Sequence, residues 1–291
     1  MNVWILCNEE AGRSLSADDL RTLVEHAGHT VVGVAKQYDS DTALPDERLD
    51  LVVAAGGDGT VATAAGIASR TSAALAILPL GTANNIASSL GVEAPPHELV
   101  SSWSTARRLP FDLGHARTAN HEWLVVEGVG GGLVPAGIAR SQAQQKGRRE
   151  MTPEEEVAAA VRAFRDTIVE LEPRLWTLVA DGTRISGEFL LVEILNIRSI
   201  GPNLVFGPDA SPSDGYFDVV MAQERHRQEL LTYLERRAAG EAARLDLPRH
   251  RARDVTIERC VEVHIDDERV DTCELGQISI RIEPSAIAVL V

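Results

Sequence analysis

Two short runs without a polar side chain, Leu51–Ala55 and Ala74–Leu78, each break into a glycine-bearing turn and then into a helical stretch. A strand that is apolar at every position must be covered on both faces, whereas a half-exposed strand alternates. Two such strands, each followed by a helix, specify a parallel sheet with helices packed on it. The chain before them fits the same layer. Val3–Cys7 is a short apolar run ending at Asn8. Ser16 is an N-cap candidate for a helix whose apolar positions are Leu20, Leu23, Val24 and Ala27, and Thr30–Ala35 is β-branched and strand-like.

The pattern changes after Pro95-Pro96. From about Phe111 strands dominate: Trp123–Glu127, Trp176–Ala180, Glu188–Leu195, Phe217–Met221, Asp254–Ile257, Val261–Ile265, Ile278–Ile282 and Ile287–Val291. Turn signals such as Asp181-Gly182 and Asp214-Gly215 separate some of them, and helices are expected at about Val134–Gln145, Pro153–Val169 and Arg225–Ala239. This predicts an α/β domain over residues 1–112 and a second, mostly antiparallel β domain over 113–291. The polar stretch Ser141–Glu150 reads as a solvated segment.

A chain of 291 residues can bury two cores. With 28 basic against 43 acidic residues its formal charge is −15, which excludes nucleic acid as the expected partner, because phosphate neutralisation needs a basic surface. No apolar stretch approaches the roughly 18–20 residues of a membrane span, and the first residues lack the basic region of a signal peptide, so the expected location is cytoplasmic. Cys7, Cys260 and Cys273 have no disulfide or metal-ligand spacing.

The strongest chemical signal is Gly56-Gly57-Asp58-Gly59-Thr60, directly after a buried strand and before a helix. In an open parallel sheet ligands sit beyond the carboxyl ends of the strands. Glycines let a phosphate approach the main chain, and a helix start presents N–H groups to an anion. Asp58 suits work near a transferred phosphoryl group through a metal or hydrogen-bond network; the same four residues also make an ordinary tight turn. Pro79-Leu80-Gly81-Thr82-Ala83-Asn84-Asn85 repeats the arrangement after the next strand, with amides suited to a base or ribose, or to capping the helix. Together the two loops point to a nucleotide site lined by Gly56, Gly57, Gly59, Thr60, Thr82, Asn84 and Asn85.

With this pair of loops the sequence resembles the diacylglycerol kinase catalytic-domain family, which includes bacterial lipid kinases and sphingosine kinases. Asn8-Glu9-Glu10-Ala11-Gly12-Arg13 stands where that family has Asn-Pro-x-Ser-Gly, keeping Asn8 and Gly12, with Arg13 available to offset the two glutamates. Phe111-Asp112-Leu113-Gly114 resembles a turn into the second domain, Glu127–Gly132 a glycine-rich segment, Ser213–Phe217 an Asp-Gly hairpin, and Ile265-Asp266-Asp267-Glu268 an Asp-Gly-Glu motif with Asp267 in place of glycine. The resemblance implies a two-domain lipid-kinase/NAD-kinase-like fold that uses ATP and Mg²⁺. It implies Asp266 as general base toward a lipid hydroxyl, Asp58 as its partner in the catalytic network, and Asp214 as ligand to a second Mg²⁺ assisted by main-chain oxygens near Ser211 and Tyr216. On the residues alone, Asp266 and Asp214 are equally readable as turn carboxylates.

The expected substrate is a lipid or amphiphilic alcohol. Arg140, Lys146, Arg148 and Arg149, and the cluster Arg249-His250-Arg251 with Arg253, can serve transient membrane-surface contact, although a solvated basic face is the commoner meaning of such runs. A homodimer is the default assembly. Two other readings stay open: a non-catalytic nucleotide- or lipid-binding regulator on the same fold, and an NAD kinase, whose NAD-holding segment has no counterpart here.

Overall fold

The computed structural model describes residues 1–9, 15–36, 44, 47–145, 151–259, 262–271 and 276–291. Glu10–Arg13, Lys146, Arg148, Arg149, Cys260 and Cys273 therefore lie outside the described residues. The chain forms two compact units: Met1–Asp112 with Pro284–Val291, and Leu113–Glu283.

In the first unit the strands Asn2–Cys7, Thr30–Ala35, Leu51–Gly56 and Ala74–Pro79 run parallel. Their order across the sheet is 30–35, 2–7, 51–56, 74–79. All six residues of Leu51–Gly56 are buried, as a strand covered on both faces must be. The helix Ala17–His26 is capped by the Ser16 side chain, which accepts from Asp19 N, and it buries Leu20 and Val24. Each such aliphatic side chain removed from water contributes about 1.5–3 kcal/mol. The helices Asp58–Thr71 and Asn85–Leu90 leave the ends of the two central strands.

The second unit is β-rich. A six-stranded antiparallel sheet runs in the order 249–252, 217–222, 191–195, 128–132, 262–265, 268–271. A second antiparallel set holds the strands Arg174–Ala180, Thr183–Phe189 and Asp254–Arg259 and the first half of Ile278–Leu290. Between the two lies a core that includes Trp176, Phe217, Ile257 and Ile280. The helices Leu133–Gln145, Pro153–Glu170 and Arg227–Ala238 cover the other face of the six-stranded sheet through Leu133, Phe164, Leu191, Val220 and Leu230. Thr152 and Glu155 close a capping box at the start of the middle helix.

The structure corrects or extends the sequence expectations at five points. The last eight residues belong to the first unit, because the strand Ile278–Leu290 is continuous and carries Val289 into parallel register with Leu75, while Val291 and Arg107 exchange main-chain hydrogen bonds. The glycine-rich segment forms a central strand, Gly128–Gly132: its glycines admit neighbours that a Cβ would meet, such as the Trp176 ring at 2.7 Å from a Cβ on Gly131. Asp112 sits within the strand Arg108–Arg117 rather than in a turn, and its carboxylate accepts from Ser285 N at 2.7 Å. Residues 141–145 belong to the helix expected over Val134–Gln145, with Ser141 buried and Gln142 and Ala143 exposed. Asp214-Gly215 is a turn leading into the strand Phe217–Ala222, whose partners are 191–195 and 249–252; it does not join two adjacent strands as a hairpin. No helix among the described residues is long and apolar enough to cross a membrane.

Candidate active site

The carboxyl ends of three adjacent parallel strands bring Asn8, Gly56–Thr60 and Gly81–Asn85 to one edge of the first unit's sheet. Asn8 is exposed and its N–H donates to Ala55 O at 3.0 Å, while Leu80 N donates to Gly56 O at 3.0 Å. The two glycine loops touch directly: a Cβ on Gly81 would run into the Gly57 main chain, 3.0 Å from its nitrogen. A Cβ on Gly56 would meet the Thr60 side chain, with Thr60 Cβ at 2.8 Å. The first helical hydrogen bond of Asp58–Thr71 runs from Val61 N to Gly57 O, so the amides of Gly59 and Thr60 lie ahead of it at the positive end of the helix. Gly57, the N-cap, makes no side-chain cap bond. A phosphate fits this backbone cradle.

The polar side chains around it are tied to the protein's own main chain. Asp58 accepts from Asn85 N through Oδ2 at 2.9 Å and from Ile86 N through Oδ1 at 3.0 Å, so it caps the second helix and joins the loops. Asn84 adopts φ +53°, accepts from Gly81 N at 3.0 Å and donates to Gly81 O at 2.8 Å, closing the second turn on itself. Asn85 is buried, whereas Thr82 is half-buried beside it. Glu9 accepts from Ala17 N and, at 2.8 Å, from Lys36 Nζ, and that lysine beside it holds its carboxyl below the usual range. The cation that offsets Glu9 is thus Lys36, far along the chain; Arg13 lies outside the described residues.

In the second unit, Asp266 and Asp267 form the two-residue turn between the strands 262–265 and 268–271. Asp266 takes φ +49°, a left-handed conformation that aspartate tolerates better than most residues. Its Oδ1 accepts from the amides of Val126 (3.2 Å), Glu127 (2.8 Å) and Gly128 (3.1 Å), and Oδ2 from Val126 at 3.0 Å. The lone pairs of Oδ1 are thereby spent, and Oδ2 keeps acceptor capacity. Burial pushes the carboxyl up to about 6 against the pull of these donors.

Behind Asp266 lie two side chains that sequence reasoning passed over. His264 and Glu193 are both fully buried, with His264 Nε2 2.9 Å from Glu193 Oε2 and His264 Nδ1 2.9 Å from the Asp266 carbonyl oxygen. The available signal was a glutamate centred in the otherwise apolar strand Leu191–Leu195.

Asp214 accepts from Tyr216 N through Oδ1 (3.1 Å), and its Oδ2 pairs with Arg251 at 2.5 Å. The guanidinium groups of Arg251 and Arg253 lie 4.4 and 4.6 Å from the centre of the Tyr216 ring. Arg249 pairs with Asp209. The three arginines of the basic cluster are therefore engaged with neighbouring side chains, and one of them occupies the carboxylate expected to hold a second Mg²⁺. Asp214 so arranged does not fit a metal. Among the described residues no group of three or more His, Cys, Asp or Glu side chains could hold one.

The diacylglycerol kinase catalytic domain matches residues 2–116, and the YegS C-terminal NAD kinase beta sandwich-like domain matches residues 132–291. A protein of Mycobacterium tuberculosis named "Diacylglycerol kinase" is 29% identical over 250 residues, covering 83% of this chain and 76% of that one. One of Stenotrophomonas maltophilia named "Probable lipid kinase YegS-like" is 28% identical over 279 residues, covering 89% and 88%. The crystal structure of a diacylglycerol kinase from Bacillus anthracis shares the fold with a TM-score of 0.70 at 20% identity, covering 99% of this chain and 96% of that one. With both domain matches in order along the chain, this protein belongs to the diacylglycerol kinase catalytic-domain family, in its YegS-like form.

Proposed function

We propose that this protein transfers the γ-phosphoryl group of ATP to a hydroxyl of a diacylglycerol-like or sphingoid lipid, from the cytoplasm and with Mg²⁺. The observation that carries the reading is Asp266: a buried carboxylate near pH 6, held by three amides, with Oδ2 still able to accept a proton. Such a group is ionised at neutral pH yet basic enough to take a proton from an alcohol as it attacks. ATP, when bound, would supply the phosphoryl group, and its Mg²⁺ would neutralise phosphate charge. The amides of Gly59 and Thr60 suit the phosphates, with Gly56, Gly57 and Gly81 giving the main chain its close approach. Thr82 and Asn8 are the half-buried and exposed side chains at the same edge. Asp266 Oδ2 accepts the hydroxyl proton, the acceptor oxygen forms its bond to phosphorus, and the bond to the departing ADP oxygen breaks. Relatives named for diacylglycerol and lipid support a lipid alcohol as acceptor. A brief contact with a membrane surface would deliver it.

The test is transfer of label from γ-labelled ATP with Mg²⁺ to diacylglycerol, monoacylglycerol, sphingosine, ceramide or phosphatidylglycerol in mixed micelles, with NAD as control. Label is expected in one lipid, falling by ~10²–10⁴-fold in Asp266→Asn. Label in NAD would replace the lipid reading by an NAD kinase. No label together with no ATP binding by calorimetry would leave a family fold turned to binding.

A further inference from the structure

The six-stranded sheet places three residues in one row. Glu193 and His264 both lie opposite Gly130, on the strands flanking it. Across such a row two side chains are separated by the middle strand's own side chain. Here that side chain is missing, and a Cβ at Gly130 would lie against the Glu193 carboxylate. The glycine lets Glu193 reach over the central strand to His264.

The hydrogen-bond chemistry then follows. The Asp266 carbonyl can only accept, so His264 Nδ1 carries a proton and donates to it. One further proton lies between Nε2 and Glu193 Oε2. Glu193 Oε1 is buried with no hydrogen-bond partner among the described residues, which an ionised carboxylate would make costly. Burial accordingly pushes the Glu193 carboxyl up, while Glu193 beside it pushes the His264 imidazole up, so the pair shares this proton. Replacing such a buried polar set by well-packed apolar side chains is often neutral or stabilising, so packing alone gives no reason for this one. The turn it supports gives one: Asp266 sits in a left-handed conformation and has to be held there from several sides. Asp266 N donates to Gly128 O at 2.8 Å, its carboxylate is held by residues 126–128, and His264 takes the remaining group, its carbonyl.

We infer that His264, oriented by Glu193 across Gly130, is a positioning residue for Asp266, fixing the turn from which the carboxylate meets the amides of residues 126–128. Its catalytic consequence rests on Asp266 being the base; its geometric content does not.

Full-length wild type, His264→Phe, Glu193→Gln and the double variant Glu193→Leu/His264→Leu are compared by amide hydrogen exchange at residues 126–128 and by steady-state kinase kinetics. The double variant leaves no lone buried polar partner, so it keeps the test alive if His264→Phe does not fold. Exchange at residues 126–128 is expected to rise tenfold or more in His264→Phe and in the double variant, by roughly the factor of ten that each ~1.4 kcal/mol of lost closure brings. With it kcat should fall roughly 10²-fold, the cost of a misplaced catalytic group, with KM for ATP within about twofold. Glu193→Gln can still donate to Nε2 and should keep wild-type exchange and kcat. Unchanged exchange in the double variant overturns the inference. So does raised exchange with undiminished kcat, or a rise in KM for ATP that accounts for the whole loss. A wild type that phosphorylates nothing sinks the kinase reading, and the exchange measurement then decides the positioning claim by itself.

Discussion

The first unit's loops and the second unit's Asp266 turn solve opposite problems. The loops offer main-chain N–H groups to an anion, and their side chains (Asp58, Asn84) are bound to the protein's own backbone. At Asp266 the backbone is the scaffold: amides of residues 126–128 hold a side chain that is left with a basic lone pair. A backbone cradle is built by contiguous residues, with two glycines facing each other. A poised carboxylate needs segments far apart in the chain, here residues 126–130, 193 and 264–266. Catalytic side chains should therefore show their worth in rates and pH profiles, and loop side chains in binding and stability.

The largest effect that would break this contrast is pH dependence. If Asp266 is the base, it must be ionised to act, so kcat/KM should fall about tenfold per pH unit below about 6, and the limb should vanish with Asp266→Asn. Stability runs the other way. The folded-state value is raised from the ordinary 3.8, so the folded protein holds the proton more tightly than the unfolded chain. Stability is full below about pH 4 as far as this group is concerned and is lost as pH rises through about 6, by on the order of 3 kcal/mol for a two-unit shift. Asp266→Asn should thus unfold at no lower urea concentration than wild type at pH 8. A clear loss of stability there would make Asp266 a structural staple instead of a base.

Asp58 sharpens the same contrast from the other unit. If its work is to cap the helix Asn85–Leu90, Asp58→Ala should cost about 1–2 kcal/mol and weaken ATP binding severalfold in calorimetry, with kcat at saturating ATP reduced less than tenfold. A ~10²-fold fall in kcat at unchanged melting temperature would instead place it in the reaction, as the family resemblance implies.

How far the sequence disclosed all this depends on the range of the interactions. The parallel layer was legible because burial on both faces leaves an uninterrupted apolar run, and the glycine loops because they are local and follow such runs. Gly128–Gly132 was not legible as a strand: a run of glycines carries no strand signal, and the reason for them, Trp176 and Glu193 on neighbouring strands, is set by pairing. Asp266 was visible only through resemblance, since its three amide partners lie some 140 residues away in the chain. Lys36 as the counter-ion of Glu9 and Arg251 as that of Asp214 were hidden for the same reason, each pair being joined by the fold alone.

The smallest effect tests that last pair. Arg251 and Asp214 are partly exposed, so their ion pair contributes roughly 0.2–1 kcal/mol, and Arg251→Ala should lower the melting temperature by only about 2–4 °C at most. The informative measurement is the response to millimolar Mg²⁺ without nucleotide. An arginine already neutralising Asp214 leaves a divalent ion nothing to gain, so wild type should not shift. Arg251→Ala frees one carboxylate oxygen and should recover part of its loss when Mg²⁺ is added, because hard cations bind carboxylate and main-chain oxygens. Stabilisation of wild type by Mg²⁺ alone, abolished in Asp214→Asn, would show that the ion displaces the guanidinium, and that the second unit's surface carboxylate binds metal after all.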